Sequence, residues 1–254
     1  MSVTIKSARE IERMREAGRI LSITHEELSK ALKPGMTTWD IDHMGEEIIR
    51  SYGCIPSFLN YNGYPASICV SVNDEVVHGI PSKKRFLQEG DIVSLDAGVI
   101  YKGYHSDAAR TYGIGEITPG AGQLIEVTRQ SFFEGIKFAK SGNHLGDISA
   151  AIQKYAESFG YGVVRDLVGH GIGANLHEEP EVPNFVQRRR GIILRPGMTL
   201  AIEPMINEGT PDVVWLDDDW TVVTEDGTLS AHYENTILIT EGEPEILSLA
   251  NGSR

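Results

Sequence analysis

Apolar residues recur at helical spacing near the start of the chain. Ile11, Met14, Ala17, Leu21 and Leu28 share one face of a 3.6-residue period, and Ser7 with Glu10 forms a capping box before them. This pattern predicts a helix ending near Lys33-Pro34-Gly35. Thr38 and Asp40 open a second helix, with Ile41, Met44, Ile48 and Tyr52 on its apolar face and Gly53 as its stop. Turn residues then separate shorter β-rich stretches. Strands are predicted at Ser67–Ser71, Val76–Ile80, Asp91–Ile100 and His105–Tyr112.

The layout recurs at an offset of 107 positions. Lys33, Gly35, Asp40, Ile41 and Gly53 reappear as Lys140, Gly142, Asp147, Ile148 and Gly160. The same offset carries Gly90 onto Gly197, Leu95 onto Ile202 and Asp96 onto Glu203. An α+β fold of two pseudo-symmetric halves is therefore expected, about residues 7–112 and 118–240, each a helix pair followed by strands. A site on the axis between the halves needs both, so residues 1–254 are read as a single catalytic domain.

Acidic residues interrupt segments that otherwise read as buried strands. Asp96 and Asp107 lie on a hairpin turning near Lys102-Gly103. If the turn centres between residues 101 and 102, they are directly opposed; if between 102 and 103, they are diagonal neighbours. Either way they share a face and repel unless a cation or a proton separates them. Glu203 ends the strand from Met198, next to Pro204. Glu234 is expected within one strand, Ala231–Thr240, on the face of Thr236 and Leu238.

His170 sits in Gly169-His-Gly-Ile-Gly173, where glycines permit tight turning and close approach. His177 follows, with Glu178, Glu179 and Glu181 beside prolines and expected to be exposed. Four carboxylates and an imidazole suit a pair of divalent ions better than a copper(I) or iron–sulfur centre. Such a pair lowers the pKa of a bridging water and polarises a carbonyl, with Glu203 as the expected proton shuttle.

The formal net charge of −13 argues against a nucleic-acid grip, and Arg188-Arg189-Arg190 reads as a solvated loop. No apolar run approaches the ~20 residues that span a bilayer. Cys54 and Cys69 form no CxxC pattern, and Met1–Arg15 alternates charges without an apolar core. A cytoplasmic protein is expected.

The combined motifs resemble bacterial type I methionine aminopeptidases. The matching stretches are Asn60–Pro81, Asp91–Thr111, Gly169–Pro180 and Ile202–Met205, and the resemblance runs from about Ile5 to Leu247. It implies the pita-bread α+β fold and removal of N-terminal methionine from nascent proteins and peptides with a small second residue. It also implies that Asp107 and Glu234 bridge two ions, Asp96 completes one shell, and His170 with Glu203 completes the other. The ions would be cobalt, manganese, iron, zinc or nickel.

By the same resemblance, His78 bonds substrate near the scissile peptide and His177 stabilises the tetrahedral intermediate. The methionine pocket would comprise Phe58, Tyr61, Tyr64, Cys69, Leu176 and Trp220. The family often carries cysteine where this chain has Phe58, phenylalanine where it has Leu176, and a larger pair at Ala97-Gly98. A monomer with transient ribosome contact is implied.

Two rival readings use similar motifs. Xaa-Pro aminopeptidases and prolidases usually carry an extra N-terminal domain, for which the ~60 residues before Tyr61 leave little room. A non-catalytic peptide- or ribosome-binding module of this fold needs no complete metal shell.

Overall fold

The computed structural model describes residues 3–249; residues 1, 2 and 250–254 of the expected domain lie outside the described residues. The first half opens with helices α1 (Ala8–Ala31) and α2 (Thr38–Ser51). Strands β1 (Ile55–Pro56), β2 (Ile68–Val72), β3 (Glu75–Val77), β4 (Ile92–Tyr101) and β5 (Tyr104–Gly113) follow. The second half opens with α3 (Pro119–Ile136) and α4 (Leu145–Glu157).

Its strands are β6 (Gly162–Val163), β7 (Gly169–Gly171), β8 (Glu178–Val182), β9 (Thr199–Ile202) and β10 (Met205–Asn207). Then come β11 (Val213–Trp215), β12 (Val222–Thr224), β13 (Ser230–His232), β14 (Asn235–Leu238) and β15 (Glu245–Ile246).

α1 begins where its capping box predicts, with the Glu10 carboxylate accepting the Ser7 N–H at 2.7 Å. In α2 the buried face is Ile41, Gly45 and Ile49; Met44 and Ile48 are half-buried and Tyr52 is exposed, which corrects the expected stripe. Gly45 explains the rotation. A Cβ there would lie 2.7 Å from Ile68 Cγ1, so the bare backbone sits directly on β2.

Structural correspondences extend the repeat. Asp40 accepts the N-cap N–H of Thr37 at 2.9 Å, and Asp147 that of His144 at 3.0 Å. Isolated bridges join Thr37 to Phe86 and His144 to Ile193. Gly35 donates to the Leu87 carbonyl and Gly142 to the Leu194 carbonyl. Both glycines have left-handed φ, +86° and +90°, a conformation in which a side chain is strained. Every one of these pairs keeps the 107-residue offset.

Each helix pair covers its own sheet. Ala17, Leu21 and Leu28 of α1 pack with Leu95, Ala97 and Ala108, and Phe132, Ile148 and Ile152 pack with Leu200, Ile202 and Ile237. Burying each such Leu or Ile contributes roughly 1.5–3 kcal/mol. In the first half β1 and β2 pair one edge of β4, and β5 pairs the other. The second half has a sheet ordered β15-β14-β9-β7-β8.

The seam between the halves positions the site. Glu234 N–H donates to the Ala109 carbonyl at 2.9 Å. Two residues away on either side, threonine hydroxyls take the place of a backbone group. Thr236 Oγ1 accepts from Asp107 N–H and donates to its carbonyl, while Thr111 Oγ1 does the same for His232. Positions 107, 109 and 111 thus face 236, 234 and 232 in antiparallel register.

The expected single strand Ala231–Thr240 is broken. Ser230–His232 pairs with β10 and Asn235–Leu238 with β9, and Tyr233 N–H turns to the Pro204 carbonyl. The backbone at Glu234 serves the seam instead of either ladder. Val76–Ile80 also shortens, because Glu75–Val77 ends at His78, whose φ is +60°.

Candidate metal centre

Register resolves the hairpin. Asp96 pairs with Ala109 and Gly98 with Asp107, so the two aspartates are diagonal neighbours on one face. Lys102 and Gly103, with φ +48° and +81°, form the two-residue turn that centres the hairpin between them.

His170 lies on β7 opposite Ala201. A Cβ at Gly169 would sit 2.4 Å from the Ala201 carbonyl oxygen, and one at Gly171 2.2 Å from that of Glu179. The flanking glycines therefore allow the close packing of strands around the ring. His170 Nδ1 bonds the Gly171 carbonyl at 2.8 Å, an acceptor that requires the proton to be on Nδ1. The Nε2 lone pair is left facing Glu203 Oε1 at 3.6 Å and Asp107 Oδ2 at 4.0 Å.

The Asp107, His170 and Glu234 side chains each offer an atom within 4.8 Å of the others. Glu203 follows β9, with its carbonyl accepting from Asn184 Nδ2 at 3.0 Å. Burial drives the electrostatics. It pushes Asp96 up to about 7, against the lowering effect of hydrogen bonds to Asp107 and to the Ala97 backbone. Asp107, Glu203 and Glu234 are also raised, first by burial and then by the charge of neighbouring carboxylates, Asp96 among them in every case. Burial pushes His170 down to about 3 and His78 down to about 4, so both rings are neutral.

Asp96 Oδ1 and Glu234 Oε1 are buried with no hydrogen-bond partner. Leaving such a group unsatisfied costs about 1–3 kcal/mol, more when charged. Four converging carboxylates, two orphaned oxygens and a presented imidazole lone pair fit divalent cations.

A cavity of about 230 Å³ opens over these groups. All the residues expected from the sequence line it: Asp96, Asp107, His170, Glu203 and Glu234 at its base, His78 and His177 beside them. Phe58, Tyr61, Tyr64, Cys69, Leu176 and Trp220 form its walls. Tyr61 Oη lies 2.7 Å from His177 Nδ1, and the His177 ring meets that of His170 edge-on at 4.2 Å. Trp220 stands edge-on to Tyr64 and to His78. Gly98 leaves room for the Ser57-Phe58 segment: a Cβ there would lie 2.6 Å from Ser57 Cβ and 3.0 Å from the Phe58 ring.

Sequence reasoning missed Asn62, Val77, Leu167, Val168 and Met205, which also line the cavity. Asn62 was adjacent to a residue already singled out; the apolar four carry no signal distinct from core. His232 was missed as well. It is 1% exposed, neither ring nitrogen has a partner, and Nε2 lies 3.9 Å from Glu203 Oε2. The expected exposure of Glu178 is corrected: its side chain is 9% exposed and pairs with Lys6 at 2.6 Å.

Among the described residues, no helix is long and apolar enough to cross a membrane.

The profile of metallopeptidase family M24 matches residues 12–241. A methionine aminopeptidase of Clostridium acetobutylicum is 58% identical over 247 residues, which is 97% of this chain and 99% of that protein. The crystal structure of a methionine aminopeptidase from Thermotoga maritima superposes with a TM-score of 0.96 at 47% identity, covering 98% of this chain and 100% of that one. An Xaa-Pro dipeptidase from Bacillus anthracis shares the fold with a TM-score of 0.78 at 26% identity; the match covers 96% of this chain but 61% of that one. With matches of this extent, the pita-bread halves and the buried acidic cluster have a common explanation: the chain belongs to metallopeptidase family M24 and, within it, to the methionine aminopeptidases.

Proposed function

We propose that this protein hydrolyses the first peptide bond of polypeptides that begin with methionine followed by a small residue. The observation that carries the reading is the cluster of four buried carboxylates, two with orphaned oxygens, at the base of an apolar cavity. Asp96, Asp107, His170, Glu203 and Glu234 would hold two divalent ions. Bound cations of this kind lower the pKa of water and polarise a scissile carbonyl.

The protein's own groups would do the rest. Glu203, at the base of the cavity, takes the proton from the attacking water and passes it to the departing amine. The water oxygen bonds to the carbonyl carbon to give a tetrahedral intermediate, and its collapse, with the proton delivered to the amine nitrogen, breaks the C–N bond and frees methionine. His177, oriented by Tyr61, donates to the oxygen that gains charge in the tetrahedral intermediate. His78 bonds the substrate backbone beside the scissile bond. Phe58, Tyr61, Tyr64, Cys69, Leu176 and Trp220 enclose the unbranched thioether, a side chain suited to soft and aromatic walls.

Cobalt, manganese, iron, zinc or nickel would satisfy this donor set. Both halves supply candidate ligands, which supports a single catalytic domain. Two unpaired, buried cysteines support a cytoplasmic setting. Nascent chains as substrate would bring the protein into transient contact with the ribosome, and a monomer would suffice, since one chain supplies every candidate ligand.

Chelator-stripped protein, reloaded with Mn²⁺ or Co²⁺, tests the reading. Release of methionine from Met-Ala-Ser, with no cleavage of an Xaa-Pro peptide, supports it. Cleavage of only the Xaa-Pro peptide favours the prolidase reading, and metal binding without turnover favours a non-catalytic module.

A further inference from the structure

A hairpin beside the cavity exposes three consecutive apolar side chains. Val214 is 44% exposed, Trp215 49% and Leu216 44%. They end β11 and begin the turn to β12, and the same turn carries Trp220, which lines the cavity wall.

Register fixes how near they lie. Val77, another cavity residue, pairs with Val222, which pairs with Trp215. Two strand spacings place Trp215 roughly 10 Å from Val77. An extended polypeptide advances about 3.3 Å per residue, so its third to fifth residues reach this distance when the first is in the cavity.

The backbone at this edge is open as well. Leu216 N–H donates to the Thr221 carbonyl and Glu225 N–H to the Asp212 carbonyl. Alternation puts the hydrogen-bonded pairs at 212, 214 and 216, so Val213 and Trp215 point their N–H and C=O away from β12. Among the described residues no other strand pairs with β11.

The turn is also acidic. Asp218 is used internally, accepting from Trp220 N–H and Thr221 N–H, while Asp217 and Asp219 are exposed.

We propose that the 213–224 hairpin is an extended subsite for the substrate polypeptide, taking its third to fifth residues against Trp215 and Leu216. Continuity with the cavity through Trp220 identifies the occupant as the substrate itself. Apolar and cationic side chains are favoured there, and anionic ones are repelled by Asp217 and Asp219. The inference rests on the proposed removal of N-terminal methionine.

The test compares Met-Ala-Ser with the pentapeptides Met-Ala-Ser-Leu-Leu, Met-Ala-Ser-Arg-Leu and Met-Ala-Ser-Glu-Glu on Mn²⁺-loaded protein. The leucine and arginine peptides are expected to exceed the glutamate peptide in kcat/KM by about fivefold. The double variant Trp215→Ser, Leu216→Ser, which leaves every cavity residue in place, is expected to erase the leucine advantage while Met-Ala-Ser turnover is unchanged. Equal kcat/KM for all pentapeptides in the unaltered protein overturns the subsite. So does a double variant that keeps the leucine preference, that loses Met-Ala-Ser turnover in parallel, or that changes oligomeric state by sedimentation. Absence of any Met-Ala-Ser turnover in the unaltered protein overturns the functional reading beneath it.

Discussion

The Thr236 hydroxyl closes a two-way clamp on Asp107: it accepts the Asp107 N–H at 2.8 Å and donates to the Asp107 carbonyl at 3.0 Å. The clamp crosses the seam between the two halves and fixes Asp107, a candidate metal ligand. Thr236→Val deletes both bonds at a fully buried position, leaving two backbone groups unsatisfied. A loss of about 1–3 kcal/mol in folding stability is expected, with a 10–100-fold fall in metal affinity. Thr236→Ser restores both. Denaturant titration of the stripped protein and metal titration of the folded one check the two effects separately.

His177 faces the cavity with its Nδ1 on Tyr61 and its ring against that of His170. His177→Ala is expected to lower kcat on the order of 10²-fold, with the metal content of the purified protein unchanged. Metal analysis beside steady-state kinetics tells a catalytic donor from a ligand: loss of metal in this variant assigns His177 to the coordination shell.

Lys6 and Glu178 form a buried ion pair that ties the segment before α1 to the residue following His177, with side chains 5% and 9% exposed. Removing Lys6 leaves the Glu178 carboxylate without its cation, held only by the Thr4 hydroxyl and the Asn175 N–H. Lys6→Met is expected to cost about 3 kcal/mol, a fall in Tm of roughly 6–12 °C for a chain of this size. Lys6→Met combined with Glu178→Leu recovers most of it. Differential scanning calorimetry of the single and double variants measures both.

His25 gives the stability a pH dependence outside the site. It is buried, its Nε2 meets the Ala108 carbonyl at 2.9 Å, and burial pushes its pKa down to about 3. Its unfolded value is near 6.5. Between these values the unfolded chain holds a proton that the folded chain lacks, so the folded state loses stability as pH falls below about 6.5, down to about 3. Above 6.5 the contribution vanishes. His25→Gln is expected to reduce the slope of unfolding free energy between pH 6 and 4 by up to ~1.4 kcal/mol per pH unit, as read from denaturant titrations of chelator-treated protein.

Much of this architecture is legible in local chemistry. Ser7 and Glu10 place the start of α1, and the 107-residue repeat pairs Asp40 with Asp147, the carboxylates that the structure shows capping Thr37 and His144. The acidic set stands out because carboxylates inside apolar strands need a partner. What escapes sequence reading depends on distant groups. The break at Tyr233-Glu234 is set by the carbonyls of Pro204 and Ala109, and the burial of Glu178 by Lys6, 172 residues away. His232 looked like an ordinary strand residue until β10 and the Thr111 hydroxyl enclosed it. Hairpin parity turned on which residues took left-handed φ, settled here by Lys102 as well as Gly103.

Calorimetric titration of chelator-stripped protein with Mn²⁺, alongside Asp107→Asn and Glu234→Gln, tests the central idea most directly. The account predicts two ions per chain in the unaltered protein and loss of both high-affinity events in either variant, because each removes a buried carboxylate charge from the donor cluster. Two unchanged binding events in both variants, or no binding by the unaltered chain, would contradict it.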